Sequence, residues 1–597
     1  MTQSTMRRAV VAAAAVGLLG TTAGTGLAQS VPKGDRFPQA SFAEQGTSVE
    51  RVTAAMHMTK EELSPARGFT APTSMLASPD NPRILVAAVA DLRSRVCSLA
   101  RSNDAGQTWR ILDAKPGPRD FQYCTSSNAG VPQAVIAFGR DNTLYYGLLG
   151  YGDNEGGRQG KVSLIVARSN DLGDTWATTI VDNNRNRPQA GPAPDRTVAP
   201  DAVQPSASPG AAGPPAANAP GAQSPAQSAP SASGVTTMAV DTSGDRDVVH
   251  VGFSHRYFPA PPENSPLNNN PVLVATSTDG GETFGKPVNI NDSIKLTQNI
   301  GGKDFSLLMS TSFGRPFLTA HDGVLLAVAD ARTPFDQRVQ GESYPALPML
   351  IGRSTDQGAT WTVTKLGPPV FTGAGAMTGM GWTEKGGDNG TFVLAYAATP
   401  ESSETSGIED IVVQRSTDNG QTWTAPVAID DDKPEENATS FYPQLSVAPN
   451  GRVDVVWQDN RGLADFRFHT RYTYSTDGGA TWAKNVQVTD QPINFNIGIS
   501  FNSDIRTPPG VASTNEYAAI GWADPRFGDE TSQTQDAFVS LAQFEPLPAT
   551  NTLLPKLAAA FGGLLLAGIV LGVVLLRRRQ GPPPSAPIER RESVSAS

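Results

Sequence analysis

Six short segments of this chain each bring a carboxylate, two hydroxyls and a large aromatic within eight residues. They are Ser102–Trp109, Ser169–Trp176, Ser277–Phe284, Ser354–Trp361, Ser416–Trp423 and Ser475–Trp482, all of the form Ser-x-Asp-x-Gly-x-Thr-Trp/Phe. Such a set of groups can serve catalysis, hold a cation or fix a turn. The turn reading accounts for every position. Asp104, Asp171, Asp279, Asp356, Asp418 and Asp477 can accept backbone N–H groups, the glycine can take positive φ, and the hydroxyls can bond locally. The aromatic is large enough to pack over the turn. A second recurring pair is Asp-x-Arg, at Asp91-Leu-Arg93, Asp330-Ala-Arg332, Asp459-Asn-Arg461 and Asp524-Pro-Arg526. Arginine forks match carboxylates, so these pairs either order loops as local ion pairs or leave arginines able to hold an anionic ligand.

The elements that position these groups are short strands. The fifth box lies between Asp410–Arg415 and Thr424–Ile429, two strand-like runs, which makes it the loop of a β-hairpin. Two more runs precede each hairpin, as in Tyr442–Val447 and Val453–Trp457 around Pro449-Asn-Gly451. One unit is therefore four antiparallel strands. The boxes start at residues 102, 169, 277, 354, 416 and 475. The long second interval contains a Pro/Ala/Ser/Gly tract, 186–234, which lacks the apolar residues needed for a core and reads as a disordered insertion. Four-stranded units repeating at about 60 residues predict an all-β fold, a radial β-propeller. Glu516–Trp522 and Asp536–Leu541 look like strands of a further unit without a box, and Val49–Thr53 can supply its missing strand. Seven blades are expected, with six as the alternative.

The box resembles the Asp-box, or bacterial neuraminidase repeat, of sialidases and related propellers, and the resemblance covers Val49–Phe544. Phe441–Gly451 and Val456–Arg461 are also similar to sialidase-like repeat proteins of bacterial surfaces. A sialidase resemblance implies three arginines on the substrate carboxylate, a Tyr nucleophile and an Asp acid/base. The family's Phe/Tyr-Arg-Ile-Pro motif is replaced here by Arg67–Pro72, and its nearest matches are Phe313–Pro316 and Ile505–Pro508. By the family's logic Tyr442 is the nucleophile, Asp91 the acid/base, and Arg315, Arg461 and Arg506 the carboxylate ligands. Blade topology puts these groups on the face opposite the boxes. Asp-box propellers also include non-hydrolytic proteins, so two functions stand: hydrolysis of terminal anionic sugars, or a non-catalytic surface propeller that binds a glycan or protein or scaffolds the envelope.

Length, composition and ends bound the setting. A chain of 597 residues exceeds one ordinary core, its charged residues are only 17%, and Gly (58) and Pro (48) are abundant. A net charge of -10 argues against nucleic acid as a partner. Residues 1–28 read as a secretory signal, with Arg7-Arg8 before an apolar run. Residues 557–576 are long and apolar enough to be a transmembrane helix, and Arg577-Arg578-Arg579 follows. The expected layout is a propeller over 48–545, a stalk over 546–556, the helix, and a cytoplasmic tail over 577–597. The protein is then a monomer in the cell membrane, spanning it once, with its folded part outside. Cys97 and Cys124 can form a disulfide in an exported chain or remain free thiols. The five histidines have no ligand spacing, so no metal and no cofactor is expected. The acidic run Asp430–Glu436 could hold calcium, but its lack of spaced ligands around a Gly turn favours a solvated loop.

Overall fold

The computed structural model describes residues 36–46, 48–59, 72, 74–91, 96–112, 134–151, 162–184, 229–258, 269, 271–309, 317–334, 345–372, 378–400, 408–433, 438–464, 466–497 and 508–544. The signal segment, the apolar segment 557–576, Arg67, Arg93, Cys124, Arg315 and Arg506 lie outside them, as does most of the 186–234 tract. Among the described residues no helix is long and apolar enough to cross a membrane.

The architecture is all-β, with two 3-10 turns at Arg140–Asn142 and Ile290–Ser293 among the described residues. Four-stranded antiparallel units follow one another along the chain. The first runs through Ser74–Ala77, Leu85–Asp91, Val96–Ser102 and Arg110–Leu112, and the second through Ala134–Phe138, Leu144–Tyr151, Val162–Ser169 and Ala177–Asn184. The third begins with the long strand Ala229–Asp241, which takes in the last residues of the tract read as disordered. The fifth comprises Thr378–Thr383, Thr391–Pro400, Asp410–Ser416 and Val427–Ala428. Its second strand also pairs at Val370 and Phe371 with the end of the fourth unit, which comprises Phe317–His321, Val324–Arg332, Leu347–Ser354 and Thr362–Phe371. The sixth comprises Ser440–Val447, Val453–Asp459, Arg467–Ser475 and Val486–Gln487. A last sheet has three strands, Gly510–Ser513, Tyr517–Asp524 and Asp536–Gln543. Its fourth comes from the other end of the chain, where Arg51–Val52 pairs antiparallel with Ala542 and Gln543.

The first strands of neighbouring units lie beside one another in chain order, and that of the last sheet lies beside that of the first unit. At this junction Gly510 has no alternative. A Cβ there would meet the carbonyl oxygen of Pro72 at 1.9 Å.

Each sheet buries both faces against its neighbours, so the core lies between units. Val393, Ile411 and Val413 of the fifth unit meet Val453, Val455, Trp457 and Trp482 of the sixth. Tyr472 and Val456 meet Val511, Ile520 and Trp522 of the last sheet, with Val49 and Val52 packed against them. Trp457, Trp482 and Trp522 are fully buried, and each apolar side chain of this kind stabilises by about 1.5–3 kcal/mol.

The boxes all take one conformation. In the fifth, Ser416 Oγ donates to Asp418 Oδ1 at 2.7 Å and accepts from Gly420 N at 2.9 Å. Asp418 also accepts from Thr422 N at 2.9 Å and from Thr422 Oγ1 at 2.6 Å. The indole of Trp423 closes the loop by donating to Gly420 O at 3.3 Å. The residue before the glycine is left-handed in every copy: Ala105, Leu172, Gly280, Gln357, Asn419 and Gly478 have φ between 58 and 75°. That conformation turns its carbonyl outward, where the preceding unit uses it. Arg101 donates to Leu172 O at 3.0 Å, Arg168 to Gly280 O at 3.1 Å, Thr276 to Gln357 O at 3.0 Å and Arg353 to Asn419 O at 2.7 Å. The box is thus a hairpin turn and also a latch between neighbours.

Candidate functional site

Strand direction separates the two ends of each unit. Third strands finish at a box, so their starts, and the ends of the second strands, lie at the opposite face. Asp459 ends the second strand of the sixth unit, and Asp410 begins the third strand of the fifth. Among the described residues the densest set of charged groups at this face belongs to these two units.

The Asp-x-Arg pairs are built alike where both side chains are described with their partners. Asp459 accepts from the backbone N of Arg461 at 2.7 Å and from its Nη2 at 3.0 Å. Asp524 accepts from the N of Arg526 at 2.8 Å and from its Nη2 at 2.7 Å. Each guanidinium also reaches a second carboxylate. Arg461 Nη1 meets Asp431 at 2.8 Å and Arg526 Nη2 meets Asp490 at 2.8 Å. Arg471 Nε lies 3.6 Å from Asp459. Arg526 also stacks over Phe538, 4.4 Å from its centroid, next to the exposed ring of Phe527. Charge-assisted forks of this kind hold loops in register. In the fourth unit Asp330 and Arg332 sit at the same strand end, with Arg332 buried.

The other candidates are placed as follows. Tyr442 lies near the start of the first strand of the sixth unit, buried, with its ring edge-on to Phe441 at 4.8 Å. Its backbone has φ 58°, beside a break in strand register between Phe441 and Gln444. A bulky residue in that region is strained, and such strain collects at functional sites. Asp91 ends the second strand of the first unit, as expected for this face. Its side chain, like that of Cys97, lies outside the description, and Arg315 and Arg506 are not described at all. Of the five proposed site residues, Tyr442 and Arg461 therefore belong to the same unit, Asp91 ends a strand of the first, and Arg315 and Arg506 lie outside the described residues.

The acidic run after the fifth unit differs from the solvated loop expected of it. Asp430 is 0% exposed and Asp432 6%, and with buried Asp410 they form a group whose ligand oxygens lie within 4.8 Å of one another. The cause is distant in sequence. Residues 36–46 run along the outer edges of the fifth and sixth units, where Ala40 N donates to Ala428 O at 2.8 Å and Trp482 N donates to Ser41 O at 3.0 Å. This brings Arg36 onto Asp410 and onto Asp432 at 3.2 Å. Burial and the neighbouring charges of Asp410 and Asp432 push the Asp430 carboxyl well above the usual range. Burial also raises Asp432, to about 6, against the opposing pull of Arg36 and Arg461. Arg36 carries no local motif, so nothing in the sequence signals this cover.

With this geometry in place the chain can be set beside known proteins. Residues 414–425 match the BNR/Asp-box repeat. No curated protein sequence is detectably similar. Among solved structures, an α-L-arabinanase of Penicillium chrysogenum complexed with arabinobiose is 13% identical, with a TM-score of 0.37 over 68% of this chain and 94% of its own. A Trypanosoma rangeli sialidase is 12% identical, with a TM-score of 0.36 over 76% of this chain and 58% of its own. An ulvan lyase is 10% identical, with a TM-score of 0.36 over 84% and 94%. At these values the architecture rests on the strand pairing described above.

Proposed function

We propose that this chain is a seven-bladed β-propeller displayed outside a cell membrane, exported by residues 1–28 and held by a helix over 557–576, which binds an extracellular glycan or surface protein without hydrolysing it. The seven-blade reading is supported by the first strands, which follow one another in order and return to the first. The observation that carries the binding reading is the state of the arginines. Arg461 and Arg526 each spend their guanidinium on two protein carboxylates, so what they order is the protein's own loops. Among the described residues, the carboxylates at this face, Asp330, Asp410, Asp430, Asp431, Asp432, Asp459, Asp490 and Asp524, also outnumber Arg36, Arg332, Arg461, Arg471 and Arg526, which disfavours an anionic sugar beside them. The folded part acts as a monomer and takes no nucleic acid. Incubating the purified chain with a fluorogenic sialoside across pH and metal conditions is expected to give no release. Turnover that Tyr442→Phe abolishes would replace this reading with the second one.

That second reading is sialidase-like hydrolysis, with Tyr442 as nucleophile, Asp91 as acid/base and Arg315, Arg461 and Arg506 on the substrate carboxylate. One observation favours it: the left-handed backbone of Tyr442 at a bulge in an inner strand. The sialidase, arabinanase and ulvan lyase named above act on glycans, which makes a glycan the first ligand class to test under either reading.

A further inference from the structure

Three carboxylates that are each at least nine-tenths buried meet at the edge of the fifth unit, and a single guanidinium touches two of them. Asp410 is 1% exposed, Asp430 0% and Asp432 6%. Arg36 occupies one oxygen of Asp410 and both oxygens of Asp432. The other oxygen of Asp410 receives only Phe37 N, at 3.4 Å. On Asp430, Oδ2 accepts from Ile411 N at 3.2 Å and the Ser440 hydroxyl lies beside the carboxyl, whereas Oδ1 is buried and has no hydrogen-bond partner among the described residues. A buried carboxylate oxygen without a donor is costly to leave unmatched. The neighbouring Asp431 is already occupied by Arg461 and by Asn485 N.

Formal charge sharpens the point. Fully ionised, three carboxylates beside Arg36 leave a formal excess of two negative charges, the charge of one divalent cation, and nearby Arg461 is already bonded to Asp431 and Asp459. We propose that Asp410, Asp430 and Asp432 bind a hard divalent cation of the calcium type, with Asp430 Oδ1 as its anchoring ligand and Arg36 as the fixed counter-charge beside it. Calcium suits the donors because it takes carboxylate oxygens singly or in pairs, in irregular geometry, whereas magnesium demands a near-ideal octahedron. The site joins a strand start, the loop that follows the unit, and the segment 36–46. The cation therefore fastens the loop carrying Asp430 and Asp432 to the strand start at Asp410, as well as balancing charge.

The test uses the purified full-length chain, stripped with a chelator and titrated with calcium chloride. Calorimetry is expected to give one calcium per chain at this site, and thermal unfolding a midpoint that rises with calcium, since a ligand bound only by the folded state stabilises it by mass action. Asp430→Asn is expected to lose that calorimetric site and the calcium-dependent rise. Its calcium-free midpoint should be no lower than wild type, because Asn keeps the shape without a carboxyl crowded by Asp410 and Asp432. Arg36→Gln removes the guanidinium but keeps all three ligands, and should bind calcium more tightly. Absence of calcium binding by the wild-type chain, equal binding by Asp430→Asn, or weaker binding by Arg36→Gln would overturn the proposal.

Discussion

The two faces of these sheets treat the same side chain in opposite ways. On the box face each aspartate is half-open to solvent and surrounded by donors from its own eight residues. Hydrogen bonds from Thr175 hold the Asp171 carboxyl down to about 2, and those from Thr283 and Ser277 do the same for Asp279. On the opposite face Asp410, Asp430 and Asp432 are buried, crowded by one another and met by Arg36 from the far end of the chain, so Asp430 and Asp432 titrate above the usual range. Local donors make a carboxylate a self-contained turn, which can be copied from unit to unit. Distant partners make it specific to one place. The copied groups therefore report architecture, and the uncopied ones are where ligand chemistry belongs.

The contrast can be broken most severely beneath the boxes of the sixth unit. Arg452 is 2% exposed, forks onto Asp454 at 2.8 and 3.0 Å, and Asp454 in turn accepts from Tyr472. Arg452→Met strands a buried carboxylate and should cost about 3–5 kcal/mol in urea unfolding. Asp418→Ala removes the acceptor of three donors in one box and should cost about 1–3 kcal/mol, with ligand binding at the other face unchanged.

A pH series separates the faces by sign. Asp279 is depressed, so its contribution is present above about pH 4 and lost as the pH falls toward 2; the stability gap between wild type and Asp279→Asn should close over that range. Asp432 is raised, so its contribution is complete below about pH 4 and is lost as the pH rises through about 6. Without calcium, the difference between Asp432→Asn and wild type should therefore move in the variant's favour from pH 4 to 6. Smallest of all is the Arg526–Asp490 pair, because Asp490 is 50% exposed. Asp490→Ala should cost about 0.2–1 kcal/mol, and less at high salt, by the same unfolding measurement.

Much of the architecture could be read from the sequence because its determinants are local. The box fixes its own turn within eight residues, and Val49–Thr53 resembles the fourth strands of other units, such as Asn485–Thr489. The latch from Arg101, Arg168 and Arg353 to the next box was also in view, as an arginine directly before the first serine, but its target is a backbone carbonyl and has no sequence signature. The acidic run at 430–436 misled for a related reason. Composition describes what a segment does in water, and Asp430 and Asp432 are not in water, because Arg36 and the segment behind it cover them. Residue type and strand position mark Tyr442 in the sequence; its left-handed backbone depends on a register break that side-chain pattern does not encode.

The pairing of Arg51 with Gln543 has a temporal side. The two residues are 492 positions apart. At a synthesis rate of about 5–20 residues per second, the early strand is finished roughly 25–100 s before its partner exists. Through that interval its edge is exposed to any other strand nearby. The chain is thus committed to a slow final step of very long sequence separation, with aggregation during synthesis as its main hazard.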